Sequence, residues 1–501
     1  MEPADLDERS DRMKEDGNIS KQIERITRYE ILMNKAEQMI MEYSQSDKVE
    51  LCKIMDELEG YYLSNELKQD FSDDEAGLLP PDLKRGVLSE DGIYNLLESY
   101  KELKVNRLEE YFFNRFRVIS KVPEKVEAFS FSDEDAYRAE QFHRSLPLYS
   151  ITPLSDLKCT AEYYKVGSIL VKDESTRFGL KAFKGLGGSY CMFRILCEKL
   201  GIDHTSADYS TFLDERVRKK CADITFVTAT DGNHGKGVSW AAKLFGCSSY
   251  VFMPAGTVED RKKAIEDAGN AIVRITDVNY DHTVRYAAEL AKENDWILIQ
   301  DTAWTGYEKY PKWIIEGYLT LAAEAVEQME EKIPTHIFLQ AGVGSMAGGI
   351  EDYFIGRAGK NPPLVTIVEP KEAACIYDSI HIDDGEEHSI DGNPVTIMAG
   401  LNCGTPCKTV WPILRDESSY FCACEDEITI KGMRGYIHPI GSDPSIISGE
   451  SGAVTYGLLL TILESTELRE LFRISNDSVI FLINTEGDTD PEGYKRIIKR
   501  T

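Results

Sequence analysis

From about Ser168 onward, short β-branched runs alternate with longer amphipathic stretches, and this alternation limits the folds open to the chain. The runs are Ile169–Lys172, Ile224–Ala229, Tyr250–Met253, Ile272–Ile275, Ile297–Gln300, His336–Gln340, Val365–Val368 and Val479–Ile483. Strands interleaved with helices pack as a mostly parallel sheet covered by helices, an α/β architecture. Ligands of such sheets bind beyond the carboxyl ends of the strands, so the turns after these runs are where chemistry is expected.

The stretch to about residue 122 is different. Ile19, Ile26, Met33 and Ile40 recur every seven residues, with Tyr29, Ala36 and Tyr43 between them, which makes one apolar helical stripe. A second helix is predicted over Val49–Leu63. The acidic Asp70–Pro81, ending in a double proline, reads as a loop. A further helix, with Ser89 as N-cap, is expected to run toward Phe116, and Pro123 marks a junction. The expected organisation is an acidic, disordered tail over 1–16, a helical domain over 17–122 and a catalytic domain over 126–501.

Acidic residues outnumber basic ones 86 to 57, a net charge of -29, which argues against nucleic acid and anionic membrane as partners. The longest apolar run, Gly452–Leu463, is too short to span a bilayer. The first twelve residues lack the apolar core of a secretory signal. Eleven cysteines are scattered without a CxxC pair, so no metal site is expected. Reduced thiols in the cytoplasm are the expectation.

Several turns after the predicted strands carry reactive residue types. After Lys172 a polar turn leads into a helix near Lys181, with Lys184 close to its start. A helix N-terminus disfavours an ammonium and lowers the amine pKa, and a neutral amine is what condensation with an aldehyde requires. Lys172 and Lys181 lie in the same segment, and by position alone Lys184 is one lysine among many. Ala229–Gly237 joins a strand to a helix through glycines, whose N–H groups suit an anion. Gln340–Ile350 is a strand, a glycine turn and a helix start. Its Gly342, Gly344 and Gly348 miss the G-x-G-x-x-G spacing of a dinucleotide loop. Asp301 directly follows an apolar strand, where a capping or turn aspartate is the ordinary reading. The last strand ends in Asn484–Asp490, and Ser448–Ala453 is another glycine-rich turn before a helix.

The strings KDESTRFGLKAFKGLGGSY, ATDGNHGKG, QAGVGSMAGGI and QDTAW occur in the order, and with the wording, of one enzyme group. The chain from Phe142 to Thr501 resembles fold type II pyridoxal-phosphate enzymes, the tryptophan synthase β-subunit superfamily, and within it the diaminopropionate ammonia-lyases. The resemblance implies two three-layer α/β subdomains preceded by an all-α segment, and pyridoxal 5'-phosphate as cofactor. It implies that Lys184, beside Phe183, holds the cofactor as a Schiff base. Asn233 is then set against the ring oxygen. Gly342, Val343, Gly344, Ser345, Met346, Ala347, Gly348 and Gly349 cradle the phosphate, and Thr485 faces the pyridine nitrogen. Thr230, Asp231, Gly232, Asn233 and His234 take the substrate, with Asp301 opposite. Lys184, Asp231 and Asp301 carry the proton transfers, each aspartate serving one enantiomer. The implied reaction is elimination of 2,3-diaminopropionate to pyruvate and two ammonia, by a homodimer. Two other readings stay open: a serine or threonine dehydratase-like eliminase, and a cofactor-binding scaffold that recruits a partner through its N-terminal helices. Leu83–Asp91 resembles part of a small bacterial domain of unknown function. Whether Cys375 and Cys403 pair is open.

Overall fold

The computed structural model describes residues 4–41, 48–89, 91–105, 109–124, 130–230, 232–330, 332–390, 392 and 394–499. The chain divides into two compact units, Met1–Arg107 and Leu108–Thr501.

The first unit contains α1 (Ala4–Met41), α2 (Lys48–Tyr62), α3 (Asn65–Glu75) and α4 (Gly92–Val105). The heptad stripe is its core: Ile26, Met33 and Ala36 are buried against Leu51, Met55, Leu58, Ile93 and Leu96. Tyr29 stacks on Tyr61 with ring centroids 3.8 Å apart. Two expectations are corrected. Residues 4–16 are the start of α1, not a disordered tail. The acidic Asp70–Glu75 stretch is not a loop but the second half of α3. Ser64 caps that helix by accepting from Leu67 N at 3.2 Å. Asp70 is fully buried, and it accepts from Tyr61 Oη at 2.6 Å and Arg25 Nε at 3.0 Å. A paired carboxylate is tolerated inside where a lone one is not.

The second unit begins with a hairpin. The helix predicted to run toward Phe116 stops at Val105, and β1 (Glu109–Phe113) and β2 (Phe116–Ser120) follow. Alternation in Phe116, Val118 and Ser120 is short, and only pairing with a distant strand reveals it. The unit boundary therefore lies at residue 107 rather than 122. The remaining strands are β3 (Leu154–Asp156), β4 (Ser168–Asp173), β5 (Thr225–Ala229), β6 (Ser248–Met253), β7 (Ile272–Ile275), β8 (Ile297–Leu298), β9 (His336–Gln340), β10 (Leu364–Pro370), β11 (Tyr420–Cys424) and β12 (Val479–Asn484). An eight-stranded sheet runs β1-β2-β11-β10-β9-β12-β4-β3, and a four-stranded sheet runs β7-β6-β5-β8. The small sheet is all parallel, while the large one is parallel from β11 to β4 and antiparallel at both edges. Its central strand β9 is buried at every residue, as a strand covered on both faces must be. This is the fold type II arrangement expected from the motifs. Among the described residues no helix is long and apolar enough to cross a membrane, and no group of side chains is arranged to hold a metal ion.

Candidate active site

The carboxyl ends of β4, β5, β8, β9 and β12 converge on a cleft. Lys184 stands at the N-cap of helix Gly185–Leu200 and reaches into it. Its Nζ is 2.6 Å from Asp301 Oδ2, and lies 5.3 and 5.7 Å from the ring centroids of Phe183 and Tyr318. The other two lysines are engaged elsewhere. Lys172 is buried and bonds Glu324 at 2.7 Å, and Lys181 pairs with Asp488 at 2.7 Å.

The expected fall in the Lys184 pKa is not what this setting produces. Burial pulls it down, but the Asp301 carboxylate outweighs burial and holds the amine above its ordinary value. Burial likewise opposes ionisation of Asp301, and the facing His234 ring and Lys184 hold its pKa at about 2. The ion pair decides the charge state because it is closer than the helix end, whose partial charge is smaller.

His234 Nε2 lies 3.1 Å from Ile299 O, an atom that only accepts, so Nε2 carries a proton. Its Nδ1 is buried without a partner, 3.7 Å from Asp301 Oδ2. Burial pushes the His234 pKa below its usual value. The helix Asn233–Phe245 starts at the same wall. Thr230 lines the cleft, and its Oγ1 accepts from Gly232 N at 3.0 Å and Gly235 N at 3.1 Å, which folds the turn. Gly232 borders an adjoining chamber instead. Asp231 lies outside the described residues.

The glycine turn after β9 fits a phosphate. Gly342 through Ala347 line the cleft, and helix Ser345–Ala358 begins there. Amides in the first helical turn have no carbonyl four residues back and point at whatever sits at the helix end. Gly344 has φ +89°, and a Cβ there would come within 2.6 Å of Leu414 Cδ1. Gly348 and Gly349 do not line the cleft. A Cβ on either would strike Val410 or Ile315, so these two let neighbouring segments approach. Ser345 Oγ donates to Asp301 O at 2.7 Å, tying this turn to the end of β8.

At the end of β12, Gln340 Nε2 donates to Ile483 O at 2.9 Å and Thr485 Oγ1 at 3.0 Å. Thr485 Oγ1 thus accepts from Gln340, and its own proton is free to point into the cleft. That hydroxyl suits an unprotonated ring nitrogen.

Tyr280, Gln340, Gly400, Leu401, Cys403, Ser451 and Glu486 also line the cleft. Glu486 and Ser451 sat in quoted strings without a role. Gly400, Leu401 and Cys403 lie in an irregular stretch with no motif to announce it. Cys375 and Cys403 are not joined by a disulfide in this structure.

The pyridoxal-phosphate dependent enzyme family matches residues 146–485, and a domain of unknown function matches residues 19–110. A diaminopropionate ammonia-lyase of Salmonella typhimurium is 46% identical over 364 residues, which is 71% of this chain and 90% of the relative. The crystal structure of holo diaminopropionate ammonia-lyase from Escherichia coli superposes with a TM-score of 0.72 at 41% identity, covering 77% of this chain and 97% of that one. The structure of the same enzyme with D-serine gives 0.71 at 40% identity, covering 78% and 97%. A lysine paired with a buried aspartate, above a helix-end cradle for an anion, is thus found in a chain that belongs to the pyridoxal-phosphate dependent enzymes and, within them, to the diaminopropionate ammonia-lyases.

Proposed function

We propose that the chain eliminates ammonia from 2,3-diaminopropionate to give pyruvate and two ammonia. The observation that carries this reading is the Lys184–Asp301 pair at the cleft wall. Pyridoxal 5'-phosphate, when bound, supplies a conjugated sink for the electron pair released at Cα. The residues that would hold it are Lys184 through its amine, the turn Gly342–Ala347 through its amides, Asn233 and Thr485.

Holding the cofactor would take Lys184 Nζ out of its ion pair and leave Asp301 without that cation. An aspartate that has lost its partner is a stronger base than one paired at 2.6 Å. Asp301 then takes the Cα proton from one face, and Asp231 takes it from the other for the opposite enantiomer. The β-ammonium leaves Cβ as ammonia and needs no further proton, while the proton taken from Cα stays on Asp301, Asp231 or Lys184. The released enamine takes up water and loses the second ammonia. Acids near the β-ammonium also select the substrate, because the hydroxyl of serine leaves that negative charge unpaired.

The test is pyruvate release from each enantiomer by wild type, Asp231→Asn and Asp301→Asn. Opposite selective losses support one base per enantiomer, and equal losses with both remove that assignment. A homodimer in the cytoplasm is the proposed setting. Sedimentation checks the assembly.

A further inference from the structure

Asn233 and Glu486 meet across the cleft from different sheets. Asn233 opens the helix that follows β5 of the small sheet, and Glu486 lies just past β12 of the large one. Asn233 Nδ2 donates to Glu486 Oε2 at 2.5 Å. Glu486 is 5% exposed, and its other oxygen accepts from Ser451 N at 3.0 Å, while Oε2 also lies 3.3 Å from Thr489 Oγ1. Its own backbone is fixed too, since Gly449 N donates to Glu486 O at 3.0 Å. The carboxylate is therefore held by three donors and has little freedom to turn.

The geometry points to Glu486 as a positioning residue that sets the hydrogen-bonding polarity of Asn233. An amide has a donor end and an acceptor end, and a half-turn about its last bond exchanges them. A carboxylate that accepts at both oxygens tolerates only the donor end. Glu486 thus takes one N–H of Nδ2, and the second N–H stays a donor at the wall of the cleft. A fixed donor there favours an anionic oxygen on the cofactor ring over a protonated one, because the charge-assisted bond is the stronger. The same bond ties the helix of the small sheet to the end of β12, so the donor is placed by elements on both sides of the cleft.

This inference rests on reading the cleft as the cofactor site, and the experiment separates the two. Wild type, Glu486→Gln, Asn233→Ala and the double variant are titrated with pyridoxal phosphate. The readouts are cofactor Kd by fluorescence and the position of the visible absorption band. Glutamine keeps the shape of glutamate but offers both a donor and an acceptor, so Asn233 is free to flip. Each single variant is expected to weaken cofactor binding about tenfold, the loss of one charge-assisted bond, and to shift the band in the same direction. The double variant is expected to bind no more weakly than Asn233→Ala alone, because the two residues act as one unit. A Glu486→Gln variant with wild-type Kd and band, or losses that multiply in the double variant, overturns the assignment. Glu486→Asp, which keeps the charge, should restore the band. If circular dichroism shows that neither Glu486 variant folds, the glutamate holds the fold rather than the amide, and the assignment is again overturned. Failure of the wild type to take up cofactor removes the reading of the cleft instead.

Discussion

Lys184 Nζ rests 2.6 Å from Asp301 Oδ2, although 117 residues separate them in sequence. The amine that would hold the cofactor is stored as one half of an ion pair. It must give up that pair before it reacts, and the pair leaves a base behind when it does.

Replacing Asp301 with asparagine keeps the shape and removes the charge. Lys184 then loses the neighbour that holds it protonated, and its pKa falls. Capture of pyridoxal phosphate by the apoenzyme at neutral pH should become faster, read as growth of the visible band in stopped flow. Elimination of the enantiomer that Asp301 serves should fall by about 10²- to 10⁴-fold, the usual contribution of a positioned base. Capture slower than wild type would mean that Asp301 does not set the amine's charge.

Gly344→Ala tests the anion cradle. Its φ of +89° is costly for alanine, and the added methyl meets Leu414. Backbone strain of this kind costs about 1–3 kcal/mol, so cofactor affinity should drop by about tenfold or more. Fluorescence titration measures it, and an unchanged Kd would place the phosphate elsewhere.

Buried acids give the fold a pH profile. Burial lifts Glu316 to about 7, and burial together with the charge of Asp352 lifts Glu417 to about 8. An acid whose folded pKa is raised adds stability that is complete below its unfolded value near 4.5. That stability is lost as pH rises through 7 to 8. The Tm should therefore fall between about pH 4.5 and 8 and level off above that. Glu417 and Asp352 share a side-chain hydrogen bond, with the protonated Glu417 as donor. Glu417→Gln supplies an N–H to Asp352 and should stabilise the protein by about 1 kcal/mol at pH 8, with a shallower slope. Calorimetry across that range checks both. A Tm that rises with pH would contradict the assignment of protons to these acids.

The cleft is lined entirely by residues from Phe183 to Glu486, all in the second unit. A chain starting at Glu109 should fold and retain kcat within about twofold, since compact domains with their own core fold alone. Pyruvate assay decides it, and loss of activity would assign the helical unit a part in catalysis. Within the helical unit, Asp70→Asn should lower stability by about 2 kcal/mol through the lost bonds to Arg25 and Tyr61, read by urea unfolding.

Much of this was legible in the sequence because parallel strands announce themselves locally. The eight runs identified from their β-branched residues all became strands, with ends shifted by at most two residues. What was not legible depends on distant partners. Phe116–Ser120 is a strand because it pairs antiparallel with Tyr420–Cys424, some 300 residues away. Asp70 belongs to a helix because Arg25 and Tyr61 neutralise it. In the cleft, motifs pointed to Lys184, Asn233, the turn after β9 and Asp301. Gln340 and Glu486 act by aiming Thr485 and Asn233, and no local pattern marks a residue whose work is done through another. The charge of Lys184 departs from the sequence expectation for a similar reason. A helix end is visible in sequence, whereas a carboxylate arriving from β8 is not.

The most direct test of the whole account is chemical labelling. Protein reconstituted with pyridoxal phosphate is reduced with borohydride, digested and mapped. The expected result is one modified peptide carrying the cofactor on Lys184, with none in Lys184→Ala. Label on Lys172, Lys181 or any other lysine, or no label in protein that has taken up cofactor, would contradict it.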